Sequence, residues 1–259
     1  MKPKIIVTRD IPDEVESMLK EHFRVSFNRE DKVFSKDILI KAMENADGIV
    51  CTVTDNITDE LLSLTNKKVK IIANIGVGVD HIDLQSAKKN NVIITNTPDV
   101  LTEATVDVAT LLLLAVTRNA FLVEKMLRQG EWRGFSLTEN LGVDVRGKIL
   151  GIVGMGRIGK AFAKRAHEAF GMKVLYYNRS PVKGLPFEAS VRFDLDALLE
   201  ESDVISLHLS SDEGNKNFIS QSRMKKIRAS SFLINTSRGD VIDQTALIDL
   251  LEKKKISGA

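Results

Sequence analysis

The sequence predicts an α/β protein of two domains, each a doubly wound parallel sheet with helices on both faces. Three observations carry this. Short β-rich apolar runs alternate with amphipathic stretches over the first hundred residues, and the same rhythm restarts at Lys148. A G-x-G-x-x-G segment then links the first strand of the second series to its first helix. Alternation of this kind needs crossover connections, and hence parallel strands covered on both faces.

In chain order, strands are expected at residues 5–8, 24–27, 48–51, 70–74 and 92–95, with helices at 13–21, 36–44, 59–64 and 84–89 between them. Pro12 suits a first helical position, where a missing N–H costs nothing. Thr58 is placed to cap a helix, with Asp59 and Glu60 in its positively polarised first turn. Pro98 breaks the pattern. Residues 102–118 read as one long helix, apolar on most sides, as for a helix buried between domains or subunits. A looser segment over 130–147 carries the only tryptophan, Trp132. The second series predicts strands at 149–153, 173–177, 204–207 and 232–235, and helices at 158–170, 195–201, 223–227 and 244–253.

Composition narrows the function. The net charge of +2 over 259 residues is too small and too evenly spread to draw nucleic acid or an anionic membrane. The longest apolar run, residues 111–116, is far short of the roughly 20 residues that cross a bilayer. No apolar leader opens the chain, so a cytoplasmic protein is expected. Cys51 is the only cysteine, which excludes an intrachain disulfide and a cysteine-rich zinc site. No metal site is expected.

The glycine segment is Gly154-Met155-Gly156-Arg157-Ile158-Gly159. An apolar strand precedes it and an amphipathic helix follows, the context that makes this spacing a dinucleotide-binding signature. Gly154 permits a tight turn, Gly156 lets the backbone approach a pyrophosphate, and Gly159 lets helix and strand pack closely. The helix start offers N–H groups and partial positive charge to phosphates. In NAD-binding units an acidic residue about 20 positions on holds the adenosine ribose. Here the corresponding strand ends in Asn178-Arg179-Ser180. An amide does not repel a 2′-phosphate, Arg179 can grip one, Ser180 can donate to one, and Lys183 is a third possible contact. The expected cofactor is NADP in preference to NAD.

Five stretches, NIGVGVDHID, TNTPDVLTEATVDVA, LGIVGMGRIG, DVISLHL and LINTSRGDVID, resemble in order and spacing the D-isomer-specific 2-hydroxyacid dehydrogenases. Gly130-Glu131-Trp132 and Asn178-Arg179-Ser180 look most like the glyoxylate/hydroxypyruvate reductases of that family. The resemblance implies hydride transfer between NAD(P)H and a small 2-oxo acid, giving the D-2-hydroxy acid. It implies that Val77, Gly78 and Val79 offer backbone amides to the substrate carboxylate, and that Arg238 binds the carboxylate and carbonyl. A guanidinium can do both through paired bonds while stabilising charge on the carbonyl oxygen. By the same resemblance Arg157, Ile158, Asn178, Leu209, Thr236 and Ser237 line the cofactor, Trp132 reaches a partner subunit's site, and the helix from Thr102 lies in a homodimer interface; Thr105, His208 and Arg238 are expected to border the cofactor too, His208 because it ends a strand where such sheets bind ligands. Packing under a loop is the alternative for Trp132. Residues 1–98 are assigned to a flavodoxin-like substrate domain and 99–259 to a Rossmann NAD(P)-binding domain incomplete at its C-terminus.

The family's mechanism also uses a histidine acid oriented by a glutamate. Both fall after Ala259 in the family pattern, and no histidine follows His208. His22 and His167 read as solvated, His81 as structural, and His208 as a strand-end residue near the cofactor. Ser210 stands where relatives usually have proline. The strand at 232–235 is expected to be an exposed edge. Two origins stay open, a fragment of a longer enzyme or a short protein with little catalysis. Two other functions stay open as well: a non-catalytic dinucleotide-binding interaction protein, and an NAD-dependent phosphoglycerate or D-lactate dehydrogenase.

Overall fold

A computed structural model describes residues 1–210 and 213–259. The chain divides into two units, 1–100 and 101–259.

The first unit holds β1 (Lys4–Val7), α1 (Asp13–His22), β2 (Arg24–Phe27), α2 (Lys36–Asn45), β3 (Gly48–Cys51), α3 (Asp59–Leu62), β4 (Ile71–Asn74), α4 (Leu84–Lys89) and β5 (Ile93–Thr95). Its sheet runs β2-β1-β3-β4-β5 with every pair parallel. The apolar sequences of β1, β3 and β4 explain the core, where Ile49, Ile72, Met43 and Leu62 are fully enclosed. Two expectations on helix starts need correction. Pro12 stands one residue before α1, extended at ψ 142°, and its carbonyl accepts from Val15 and Glu16. Thr58 occupies the cap position of α3, but its hydroxyl makes no cap bond; its carbonyl receives the amides of Leu61 and Leu62.

The second unit opens with α5 (Thr102–Thr117) and α6 (Ala120–Arg128), which are bent by 69° at the break between them. Among the described residues no single helix is long and apolar enough to cross a membrane. Then follow β6 (Ile149–Val153), α7 (Arg157–Phe170), β7 (Lys173–Tyr177), β8 (Ala189–Val191), α8 (Leu195–Glu201), β9 (Val204–Leu207), α9 (Gln221–Met224), β10 (Phe232–Asn235) and α10 (Gln244–Glu252). The parallel sheet runs β10-β9-β6-β7-β8, which puts β6 at its centre. One face is covered by Val106 and Leu113 of α5 with Phe162 and Ala166 of α7, the other by Leu198, Leu199, Met224 and Leu250. Central strands buried on both sides explain the near-continuous apolar runs of β6 and β9.

Differences from the sequence reading are local. α6 and β8 are additions. α9 begins at Gln221, two residues early, because the Ser220 side chain accepts the Arg223 amide and starts the helix there. α5 is buried on one face, where Val106, Ala109 and Leu113 are enclosed, and its other face, with Val108 and Leu111, is exposed and apolar. His167 is not a free surface group; its Nδ1 lies 3.0 Å from the Met172 carbonyl and its ring lies against Phe187. Trp132 is 48% exposed and is not packed into a core. The β10 edge is partly paired, since Leu233 donates to the Gly258 carbonyl at 3.0 Å.

Candidate functional site

The glycine turn leaves β6 at the carboxyl edge of the sheet, where ligands bind in open α/β folds. Gly154 has φ +99°, and a Cβ there would come within 2.6 Å of the His208 carbonyl oxygen. At Gly159 a Cβ would fall 2.2 Å from the Gly154 carbonyl, so helix and turn touch only because it is absent. Gly156 differs: nothing lies within 4 Å of its Cβ position, and it is exposed. The first two glycine roles are internal contacts, whereas the third leaves open space for a ligand.

α7 starts at this turn without a side-chain cap. The amides of Ile158 and Gly159 have no acceptor among the described residues. The turn is held by its neighbours. Gly154 donates to the Tyr177 carbonyl at 2.9 Å, and Met155 donates to Asn178 Oδ1 at 3.2 Å. Asn178 Nδ2 donates onward to the Ser180 carbonyl at 2.9 Å. Asn178 thus braces the turn, a role its position in the sequence does not reveal. Arg179, Ser180 and Lys183 are exposed, and neither basic side chain has an ion pair among the described residues. An uncapped helix start and an open glycine fit a dinucleotide diphosphate, with a basic strand end beside them.

On the other side of β6, His208 follows β9 and Thr236 follows β10. Thr236, Ser237 and Arg238 are all partly buried. Asn235 closes their turn: its Oδ1 accepts from the Ser237 amide at 2.9 Å and the Ser237 hydroxyl at 2.7 Å, and its Nδ2 donates to the Arg238 carbonyl at 2.7 Å. Asn235 was not singled out from the sequence; the signal was an amide residue ending an apolar strand. The Arg238 guanidinium donates to the Ser237 carbonyl at 3.2 Å. Leu209 borders the turn, its Cδ2 lying 3.2 Å from the Cβ position of Gly154. Thr105, in the first turn of α5, directs its hydroxyl back to the Leu101 carbonyl at 2.8 Å.

In the first unit, Val77, Gly78 and Val79 follow β4. Buried Asn74 holds this loop by donating to the carbonyls of Gly76 at 3.1 Å and Gly78 at 2.9 Å. Asn96 donates to the Val77 carbonyl at 2.9 Å, and Ile82 donates to that of Val79 at 3.0 Å. The carbonyls are therefore tied, while the amides of Val77, Gly78 and Val79 have no acceptor among the described residues. A run of free amides is a site for a small anion. No group of three metal-ligating side chains occurs among the described residues.

Comparison with known proteins agrees with this chemistry. A family model described as the NAD-binding domain of D-isomer specific 2-hydroxyacid dehydrogenases matches residues 110–259. The glyoxylate reductase of Thermococcus litoralis is 40% identical over the whole chain, which spans 79% of that relative. Among solved structures, a glyoxylate reductase from Paecilomyes thermophila aligns with a TM-score of 0.86 at 30% identity, over 99% of this chain and 80% of that one. The D-lactate dehydrogenase of Aquifex aeolicus, complexed with NAD and lactic acid, aligns with a TM-score of 0.84 at 29% identity, over 98% and 75%.

Proposed function

The chain belongs to the D-isomer specific 2-hydroxyacid dehydrogenase family, and from that premise we propose that it reduces glyoxylate or hydroxypyruvate with NADPH in preference to NADH. It is an oxidoreductase that reduces 2-oxo acids with a nicotinamide dinucleotide. When bound, the dinucleotide supplies the hydride; the protein's part is to bind, orient and stabilise charge.

The observation that carries the finer reading is the end of β7. Asn178 stands where an acidic residue would hold an unphosphorylated ribose, and Arg179 and Lys183 follow it, both exposed and without an ion pair among the described residues. Gly154, Gly156 and Gly159 would seat the pyrophosphate over the start of α7, with Arg157 and Ile158 at the rim. Thr105, His208, Leu209, Thr236 and Ser237 are assigned to the remaining cofactor surface. Arg238 is assigned to the substrate carboxylate and the developing oxyanion, because a guanidinium donates to both at once. Val77, Gly78 and Val79 are assigned to the carboxylate by their amides, which have no acceptor among the described residues. Residues 1–98 then serve the substrate and residues 99–259 the dinucleotide. Exposed Val108, Leu111, Phe121, Leu122 and Leu127 on α5 and α6 support a homodimer through this unit.

The test is to follow nicotinamide absorbance with NADPH and with NADH over a panel of 2-oxo acids. Glyoxylate or hydroxypyruvate turned over fastest with NADPH is expected. Pyruvate as the best substrate, or a preference for NADH, would reject the finer reading.

A further inference from the structure

Strand register brings together groups of the second unit that are distant in sequence. β9 and β10 are parallel, with Leu207 opposite Asn235, so His208 and Thr236 leave the sheet side by side. His208 Nδ1 lies 3.3 Å from Thr236 Oγ1, and Nε2 lies 2.9 Å from Ser206 Oγ. Ser206 is fully buried. The imidazole leans on Phe162 of α7, with ring centroids 5.6 Å apart. The His208 carbonyl abuts Gly154. One residue therefore touches the glycine turn, the helix that rises from it and the end of β10.

Surrounding protein atoms strip water from the ring and lower its pKa to about 4, so it is neutral at physiological pH. A neutral imidazole has one donor and one acceptor nitrogen. Clasped between two hydroxyls, it gives to one and takes from the other, which fixes both rotors. Thr236 is thus set from β9, while Asn235 sets Ser237 and Arg238 from within their own turn.

The sheet order tells which part of the ligand lies here. The glycine turn follows β6, and the ribose-facing Asn178-Arg179-Ser180 follows β7 on one side of it. A dinucleotide laid across the switch point sends its other half the opposite way, over the ends of β9 and β10. We propose that His208 is a positioning residue for the nicotinamide half: the Ser206–His208–Thr236 relay fixes Thr236, where the chain leaves β10, in the place that receives that ring. This rests on the dinucleotide reading above.

Calorimetry on the 259-residue chain tests it. Whichever of NADPH or NADH binds more tightly is compared with its adenosine-side fragment, 2′,5′-ADP or ADP-ribose, which lacks the nicotinamide. His208→Ala and Thr236→Val are each expected to weaken the whole dinucleotide about five- to tenfold, the scale of one lost hydrogen bond, and the fragment by less than about twofold. The double variant is expected to be no worse than either single one, because both remove the same link. His208→Gln, whose amide keeps a donor and an acceptor, is expected to restore most of the affinity. Equal losses for dinucleotide and fragment would overturn the proposal, since they would place His208 in the general fold. So would unchanged affinity in both single variants, or multiplied losses in the double. A wild-type chain that binds neither ligand would overturn the dinucleotide reading and this proposal with it; failure of the variants alone overturns only this proposal.

Discussion

Asn178 Oδ1 accepts the backbone N–H of Met155 at 3.2 Å and so ties the end of β7 to the glycine turn that follows β6. The same amide donates to the Ser180 carbonyl. A carboxylate at this position keeps the first bond, loses the second and adds negative charge. Asn178→Asp is therefore expected to lower the ratio of NADPH to NADH affinity by about tenfold or more, equivalent to at least about 1.4 kcal/mol. Arg179→Ala is expected to weaken NADPH by about tenfold or more, the scale of a charged hydrogen bond, with NADH nearly unchanged. Fluorescence titration with both cofactors checks this, and equal losses for the two would remove the phosphate argument.

Two glycines in one turn have opposite consequences. Gly159→Ala pushes a methyl against the Gly154 carbonyl, within 2.2 Å before relaxation. It is expected to destabilise the second unit by about 1–3 kcal/mol. Gly156→Ala meets nothing within 4 Å and keeps an accessible backbone conformation at φ −76°. It should leave the urea midpoint nearly unchanged while reducing dinucleotide affinity, because the methyl stands where a diphosphate must approach. Unfolding and binding measured on the same two samples separate the effects.

The depressed pKa of His208 makes a signed prediction for stability. Between the ordinary histidine value near 6.5 and about 4, the unfolded chain holds a proton that the folded chain does not. Stability therefore rises with pH across this window, is fully present above it, and is lost as pH falls through it. Allowing for the ring's partial exposure, the span is about 1–3 kcal/mol. Urea midpoints at both ends of the window, compared between wild type and His208→Gln, should show a shallower slope in the variant. Identical slopes would mean the ring titrates normally.

Arg238 extends from a turn that Asn235 closes through the Ser237 amide and hydroxyl and the Arg238 carbonyl. Arg238→Ala is thus expected to leave dinucleotide affinity within about threefold. Its kcat/KM for glyoxylate should fall by about 10²–10³, the usual loss on removing an oxyanion donor. A matching collapse in cofactor binding would assign the residue to the dinucleotide instead.

The central strands were legible because IIV, GIVC and LGIV are apolar on both faces, which only a doubly covered parallel sheet needs. β8 was not, since Ala189-Ser190-Val191 is short and half exposed at the sheet edge. α6 hid because Asn119, at φ +53°, breaks the chain just two residues after α5 and no residue of the helix is fully buried. The glycine turn and the altered strand end after β7 could be read from spacing. The bracing by Asn178, the closure by Asn235 and the partners of His208 could not. Each depends on which strands become neighbours and in what register, and that is decided by the sheet as a whole.

Every residue assigned to a ligand in the second unit, apart from Thr105, stands at or beyond the carboxyl end of a strand or in the first turn of the helix that follows. The ladder beneath is packed mainly by apolar side chains, and the rim reaches into it at few points, Gly159 beside Ile152 and His208 against Phe162 and Ser206. At the exposed part of that rim, as at Arg179 and Ser180, changes of coenzyme taste can therefore accumulate with little cost to the architecture, and a lineage built on this frame is free to diversify its chemistry while inheriting its shape.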